Sequence, residues 1–221
     1  MRPVIYSRAV VFRHVARHYF LATWDVNPDQ VNPKLPEGFR LALVDGRALV
    51  SLAALRLSSG RIGRLSIPGW RQLYTRTYVT DRRGEPAVFI FSFRVTLLGL
   101  LELPFGVPVR STLIGLSERS VTARGPGVLF TFALTGEPAE LPPLEPPLGS
   151  HEVAYWRAAG LRRAVARHAP IRWQHVRLEG EVRFDPVLAL GFDVPTPPVC
   201  AYADDVEFRL GRVEKVAPLC V

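Results

Sequence analysis

Apolar and polar residues alternate with a period of two in segment after segment of this chain, the pattern of half-buried strands. In YFLATWDV, Phe20, Ala22, Trp24 and Val26 share one side. Phe39, Leu41 and Leu43 alternate next. Asp45-Gly46 then supplies a two-residue turn able to take positive φ, and RALVSLAALRL (Arg47–Leu57) returns as a strand. Leu73–Val79 and Ala87–Val95 predict a second hairpin around TDRRGEP. Further strands are expected over Arg110–Leu116, Ser120–Ala123, Val128–Leu134, Ile171–Phe184, VPTPPVCAY and Asp205–Val216. Residues 2–18 fit a helix or an edge strand, residues 58–72 read as a loop, and LRRAVARHA (residues 161–169) is ambiguous.

Helix signals are few. Asn27 is a good cap and Pro28 suits the first helical position, so a short helix is expected there, limited by Pro33 and Pro36. Ser150 can cap a second helix reaching about Ala159, with Gly160 as its stop. Proline-rich Gly136–Ser150 reads as an extended surface crossover. There is no internal repeat. Ten or more short strands with two or three helices predict a single β-rich α+β domain over residues 1–221, a strongly curved antiparallel sheet or barrel with peripheral helices.

Composition narrows the class. The 221 residues are 48% hydrophobic and 22% charged, a globular balance. The formal charge of +8 is almost all arginine, since Lys34 and Lys215 are the lysines. With 20 prolines, this skew suggests a GC-rich genome and a hot habitat. The arginines are scattered through strand-like segments without a run of five, so nucleic acid is not an expected partner. The N-terminus lacks a sustained apolar core, and the longest apolar run, Val95 to Val109, is broken by Glu102 and two prolines. A soluble cytoplasmic protein without a membrane partner is expected, and a homo-oligomer is compatible with the sequence. Cys200 and Cys220 read as reduced thiols.

Candidate chemistry is sparse. His14-x3-His18 would place two imidazoles on one face of a helix, but no further ligand accompanies them, and His151, His168 and His175 are isolated. There is no His-Glu-x-x-His, no Gly-x-Ser-x-Gly and no nucleotide-binding glycine pattern, so neither a metal nor a cofactor is expected. In IRWQHVRLEGEV, Trp173, His175, Arg177, Glu179 and Glu181 share a face that suits solvent or, in a closed barrel, a polar pocket. Tyr74, Arg76 and Tyr78 pose the same choice beside one of the most apolar strands in the chain. Facing out, the tyrosines would cover the arginine stem; facing in, Arg76 could bind a carboxylate in bidentate fashion.

Four stretches carry a family resemblance: Trp24–Leu52 with its Leu-Pro-x-Gly and Asp-Gly motifs, Leu73–Phe93 with Arg76-Thr77-Tyr78-Val79, LPFGVPVR (Leu103–Arg110) and PPVCAYADDVEF (Pro197–Phe208). In this order they resemble the DUF2071 family, which is related to acetoacetate decarboxylase. The resemblance implies a barrel or cone of antiparallel strands around an internal cavity. In acetoacetate decarboxylase a buried lysine after a Gly-aromatic-Pro turn forms a Schiff base with a β-keto acid. The similar turn here is Gly106-Val107-Pro108, and Val109 stands where that lysine would be. Valine forms no imine and the following Arg110 is too basic to act as an amine nucleophile, so the decarboxylase chemistry is not expected. The expected function is binding of a small organic acid or acyl compound by Tyr74, Arg76 and Tyr78, with Glu102 and Arg110 flanking the turn. Two other readings stay open: acid–base catalysis on a small organic acid, with Glu102 as base and Arg76 as electrostatic stabiliser, and a filled barrel serving structure or a partner.

Overall fold

The computed structural model describes residues 10–62, 64–97, 99, 106–117, 120–125, 128–140, 153–168, 171–179, 187, 189–194 and 198–217. In chain order its elements are β1 (Val10–Val26), α1 (Pro28–Val31) with a 3-10 turn at Asn32–Lys34, β2 (Arg40–Leu41), β3 (Leu43–Val44), β4 (Arg47–Leu57), β5 (Gly60–Ile62) and β6 (Leu65–Ile67). The central hairpin β7 (Trp70–Thr80) and β8 (Pro86–Val95) follows, then β9 (Val109–Ser111), β10 (Leu113–Leu116), β11 (Ser120–Gly125) and β12 (Val128–Glu140). The chain ends with β13 (Val153–Ala158), β14 (Gly160–Arg167), β15 (Gln174–Glu179), β16 (Val199–Ala203), β17 (Val206–Gly211) and β18 (Glu214–Lys215).

Seven of these strands close a barrel in the order β1–β4–β7–β8–β13–β14–β17 and back to β1. Every pairing in the ring is antiparallel except β8 with β13. One apolar cluster draws on all seven strands, with Ala16, Leu55, Tyr78, Ile90, Trp156, Ala164 and Val206 among its members; it is the barrel interior. A second layer, β16–β15–β12–β11–β10, hangs from β1 and covers part of the outer wall. Trp24, Val50, Leu73, Val121 and Cys200 pack between the two layers. Cys200 is free, and burial pushes its thiol pKa up to about 12, so it packs as an inert apolar group.

The two longest runs of alternation change phase midway. On β1, Phe12 and Ala16 join the interior before the bend and Tyr19 and Leu21 after it. The switch coincides with a register shift between Arg17 and Phe20 and with His18 at φ 50. On β8, Val88 and Ile90 point inward, a bulge intervenes, and Phe93 and Val95 point inward again. Each bulge bends its strand and supplies the curvature that closure needs.

The turns follow their sequence signals. The Asn27 side chain accepts from the Asp29 N–H at 3.0 Å, capping α1. Asp45 (φ 49) and Gly46 (φ 75) make the two-residue hairpin of β3 and β4. Three expectations are corrected. The helix expected over 150–159 is a strand from Val153 on, because Ala154 to Trp156 pair with β8 and Gly160 (φ +96) turns β13 back into β14 instead of ending a helix. Residues 161–167, ambiguous in the sequence, are strand, paired with β13 and β17. The loop expected over 58–72 contains the β5–β6 hairpin and the start of β7. The first residues expected in the proline-rich crossover, 136–140, are strand: β12 runs to Glu140, passing Pro138 within a register shift between Thr135 and Ala139. Residues 141–150 lie outside the described residues.

Asp81 sits at the seam. One carboxylate oxygen accepts the N–H groups of Arg83 (2.8 Å) and Glu85 (3.0 Å), shaping the β7–β8 turn, and the other accepts the Tyr155 hydroxyl of β13 at 2.8 Å. Burial first, then this hydrogen bond, push the Tyr155 pKa up to about 12. Asp81→Ala is expected to lower stability by about 2–4 kcal/mol in urea denaturation, since it strands three donors at once. A tyrosine that stays protonated in the fold while its unfolded form ionises near 10 makes stability fall as pH rises from about 10 to 12. Tyr155→Phe should lessen that alkaline loss.

Candidate functional site

Tyr74, Arg76 and Tyr78 lie on the inner face of β7. Tyr78 belongs to the interior cluster and Tyr74 packs against it, so Arg76 between them points into the barrel. Its registered neighbours on β4 and β8 are Ser51 and Ile90, and that of Tyr74 on β4 is Ala53. Small residues on β4 thus leave room beside a long side chain. Tyr74 and Arg76 are enclosed by protein and yet retain accessible surface.

The arginine stacks between two rings, with its guanidinium carbon 5.8 Å from the Tyr74 centroid and 5.3 Å from that of Tyr78. Its Nη2 donates to the Tyr78 hydroxyl at 3.4 Å. Because arginine can only donate, the Tyr78 oxygen accepts here; it also meets Ser51 Oγ at 2.9 Å, where either hydroxyl can donate. Ser51 in turn meets Thr23 Oγ1 at 2.8 Å. On the other side the Tyr19 and Tyr74 hydroxyls lie 2.9 Å apart, and Trp173 packs on Tyr19 at 5.0 Å. Two hydroxyls sharing one hydrogen bond use one proton, which leaves the other to donate elsewhere.

Electrostatically the site is a fixed cation among neutral hydroxyls. Burial works against the Arg76 charge, but the Tyr19, Tyr78 and Tyr74 oxygens outweigh it and hold its pKa above the ordinary value. Burial, with the neighbouring Tyr19, raises the Tyr74 pKa well above 10, and the Arg76 charge lowers it by less. Arg76 Nε is buried and unpartnered, and among the described residues no carboxylate meets this guanidinium.

The turn singled out in the sequence enters the same barrel. Gly106 (φ +76) presents its carbonyl to the Trp156 indole N–H at 2.8 Å. Val107 and Val109 are buried in the interior cluster, and Val109 pairs in parallel register with Phe93. Arg162 of β14 reaches this turn, its Nε 3.5 Å from where a Cβ on Gly106 would stand. That Nε is also buried and unpartnered. Arg110, one residue beyond inward Val109, is exposed and registers with Arg94, whose pKa is lowered by burial and then by the Arg110 charge. Glu102 lies outside the described residues. Lys34 sits over the Phe192 ring at 5.5 Å, in the layer outside the barrel, and Lys215 is exposed on β18.

Sequence reasoning singled out the β7 triplet, which the structure places inside, but not Tyr19, Thr23, Ser51 and Arg162, which come near it only through strand pairing. A signal for Arg162 existed: with Ala164 and Ala166 it makes an arginine on a face of small residues. The histidines do not converge. His14 is buried, with Nδ1 3.3 Å from the Ser58 carbonyl and Trp70 edge-on at 4.8 Å, and burial lowers its pKa. His18 meets the Tyr202 hydroxyl at 3.0 Å. Among the described residues no group of three or more acidic, histidine or cysteine side chains could hold a metal, and no helix is long and apolar enough to cross a membrane. The strand face of Trp173 divides: Trp173 turns into the interior cluster, while Arg177 is exposed.

A family model for DUF2071, an uncharacterized conserved protein, matches residues 13–207. The chain belongs to the DUF2071 family. No curated protein matches it. Among solved structures, acetoacetate decarboxylase from Legionella pneumophila is similar with a TM-score of 0.67 at 10% identity, covering 100% of this chain and 94% of the other. An acetoacetate decarboxylase-like enzyme from Sphingomonas wittichii aligns with a TM-score of 0.62 at 15% identity over 98% of both chains. The enduracididine biosynthesis enzyme MppR, complexed with pyruvate, aligns with a TM-score of 0.62 at 11% identity, covering 96% of this chain and 92% of that one. At these identities the likeness is one of fold, and this DUF2071 protein has an acetoacetate decarboxylase-like barrel.

Arg76→Met keeps the apolar stem and removes a buried charge that no described carboxylate compensates. In urea denaturation without added ligand it should leave the fold intact and raise stability by about 1–3 kcal/mol. A loss of similar size would mean that Arg76 anchors a structural ion pair.

Proposed function

We propose that this DUF2071 barrel binds a small organic acid non-covalently, with the ligand carboxylate paired to Arg76 and hydrogen-bonded by the Tyr19–Tyr74 hydroxyl pair. The observation that carries this reading is the partly buried Arg76 guanidinium on the inner face of the barrel, with an unpartnered Nε and no described carboxylate beside it. An uncompensated charge in such a place costs several kcal/mol, and a bound carboxylate offsets that cost with charge-assisted hydrogen bonds. The Tyr78–Ser51–Thr23 chain keeps the Tyr78 oxygen pointed at the cation, so the guanidinium is held rather than floating. Similarity of fold to MppR, whose structure contains pyruvate, adds that a barrel of this kind accommodates a small oxo acid.

The binding is read as non-covalent because both lysines of the chain lie outside the barrel interior. By the sequence resemblance, Val109 stands where the Schiff-base lysine would be. Native mass spectrometry of freshly purified protein, followed by calorimetric titration with butyrate and pyruvate, tests the reading. Arg76→Met should weaken carboxylate binding by about 2–5 kcal/mol. Unchanged affinity in that variant would remove Arg76 from the site. Borohydride treatment in the presence of acetoacetate should give no adduct; a mass increase mapping to Lys34 or Lys215 would restore imine chemistry.

A further inference from the structure

We infer that the ligand of this site is a dicarboxylate with an apolar middle, one carboxylate taken by Arg76 and the other by Arg162. The inference rests on the reading of the barrel interior as a carboxylate site. Strand pairing places the two arginines in one row. Arg76 registers with Ile90 on β8, Ile90 with Trp156 on β13, and Trp156 with Arg162 on β14. Residues directly opposite each other in a ladder share a face, and Ile90 and Trp156 are interior residues, so Arg162 also points inward. Three strand steps separate the two arginines, about 14 Å along the wall. That wall is curved, so two long side chains leaving it inward converge.

The chemistry of the row defines the ligand. Both guanidiniums carry a buried, unpartnered Nε, and both residues are only partly buried. Among the described residues the buried acid is Asp81, and its carboxylate is committed to Arg83, Glu85 and Tyr155. Two permanent cations thus share one enclosure of low dielectric, and a monocarboxylate would neutralise one and leave the other uncompensated. Between them the wall offers Ile90 and the Trp156 ring, whose N–H is already given to the Gly106 carbonyl. A chain of methylenes suits that stretch and a polar linker does not.

The test is calorimetric titration at constant ionic strength with succinate, glutarate and adipate against butyrate. The best dicarboxylate is expected to bind roughly 10- to 100-fold more tightly than butyrate, the worth of one further charge-assisted pair. Arg162→Met should bring that dicarboxylate down to the level butyrate shows on the same variant, with native far-UV circular dichroism as the check that the variant is folded. Arg162→Gln is the second variant and should show the same loss. Arg76→Met should weaken both classes. If no dicarboxylate outbinds butyrate, or if the preference survives both Arg162 substitutions, the two-arginine inference is overturned and the Arg76 site stands. If neither class binds the native protein, both fall.

Discussion

Seven strands cannot close a ring through antiparallel pairs alone. Direction reverses at every antiparallel step, so a ring of odd number needs at least one parallel neighbour. In this barrel it is β8 beside β13, and much of the molecule follows from that seam. A parallel neighbour cannot come from a tight hairpin, so the chain must leave β8, build other strands, and return. The Asp81 carboxylate stitches the returning strand to the β7–β8 turn through Tyr155, and the Trp156 indole ties it to the Gly106 carbonyl. The seam thereby carries Arg162 into the same interior as Arg76.

That interior combines two things proteins usually keep apart, an apolar barrel lining and positive charge that meets no carboxylate among the described residues. Ordinary barrels of this size fill with interlocking apolar side chains. Here the small inward residues Ser51 and Ala53 of β4 stand where bulkier ones would fill the space beside Arg76 and Tyr74. The tyrosines serve twice. Their ring faces steady the guanidinium, and burial keeps the Tyr74 hydroxyl protonated, so it supplies hydrogen bonds without adding negative charge. On the proposed reading this arrangement suits an anion from outside rather than an internal ion pair.

Comparison with the acetoacetate decarboxylase fold separates architecture from chemistry. The turn through Gly106 and Val107 still dips into the barrel, but it delivers a buried valine at Val109. Val109 is hydrocarbon, and the inward cations of the barrel, Arg76 and Arg162, carry guanidiniums that do not attack carbonyls. Fold similarity across this group therefore speaks to an enclosed interior and not to a shared reaction.

Local signals needed no tertiary help. The Asn27 cap, the Asp45-Gly46 turn, the β7–β8 hairpin and the alternation of most strands are decided by residues within a few positions of one another, and they were legible. Where a competing local signal existed, it misled: Ser150 and Gly160 frame a plausible helix, yet pairing with β8 makes Val153–Ala158 a strand. The face of Tyr74, Arg76 and Tyr78 was recognisable as chemically unusual, but alternation assigns residues to two faces without saying which is inside. That choice depends on the closure of seven strands and on bulges at Arg17–Phe20 and at Phe91, which reverse the phase of alternation. The sequence by itself determined that Tyr74, Arg76 and Tyr78 share a face, because β7 carries no extra residue in that short run and φ and ψ preferences act locally. Only the tertiary structure decided that this face is interior and that Arg162, 86 positions away, lies in its row, because register between distant strands is set by burial of the whole barrel at once.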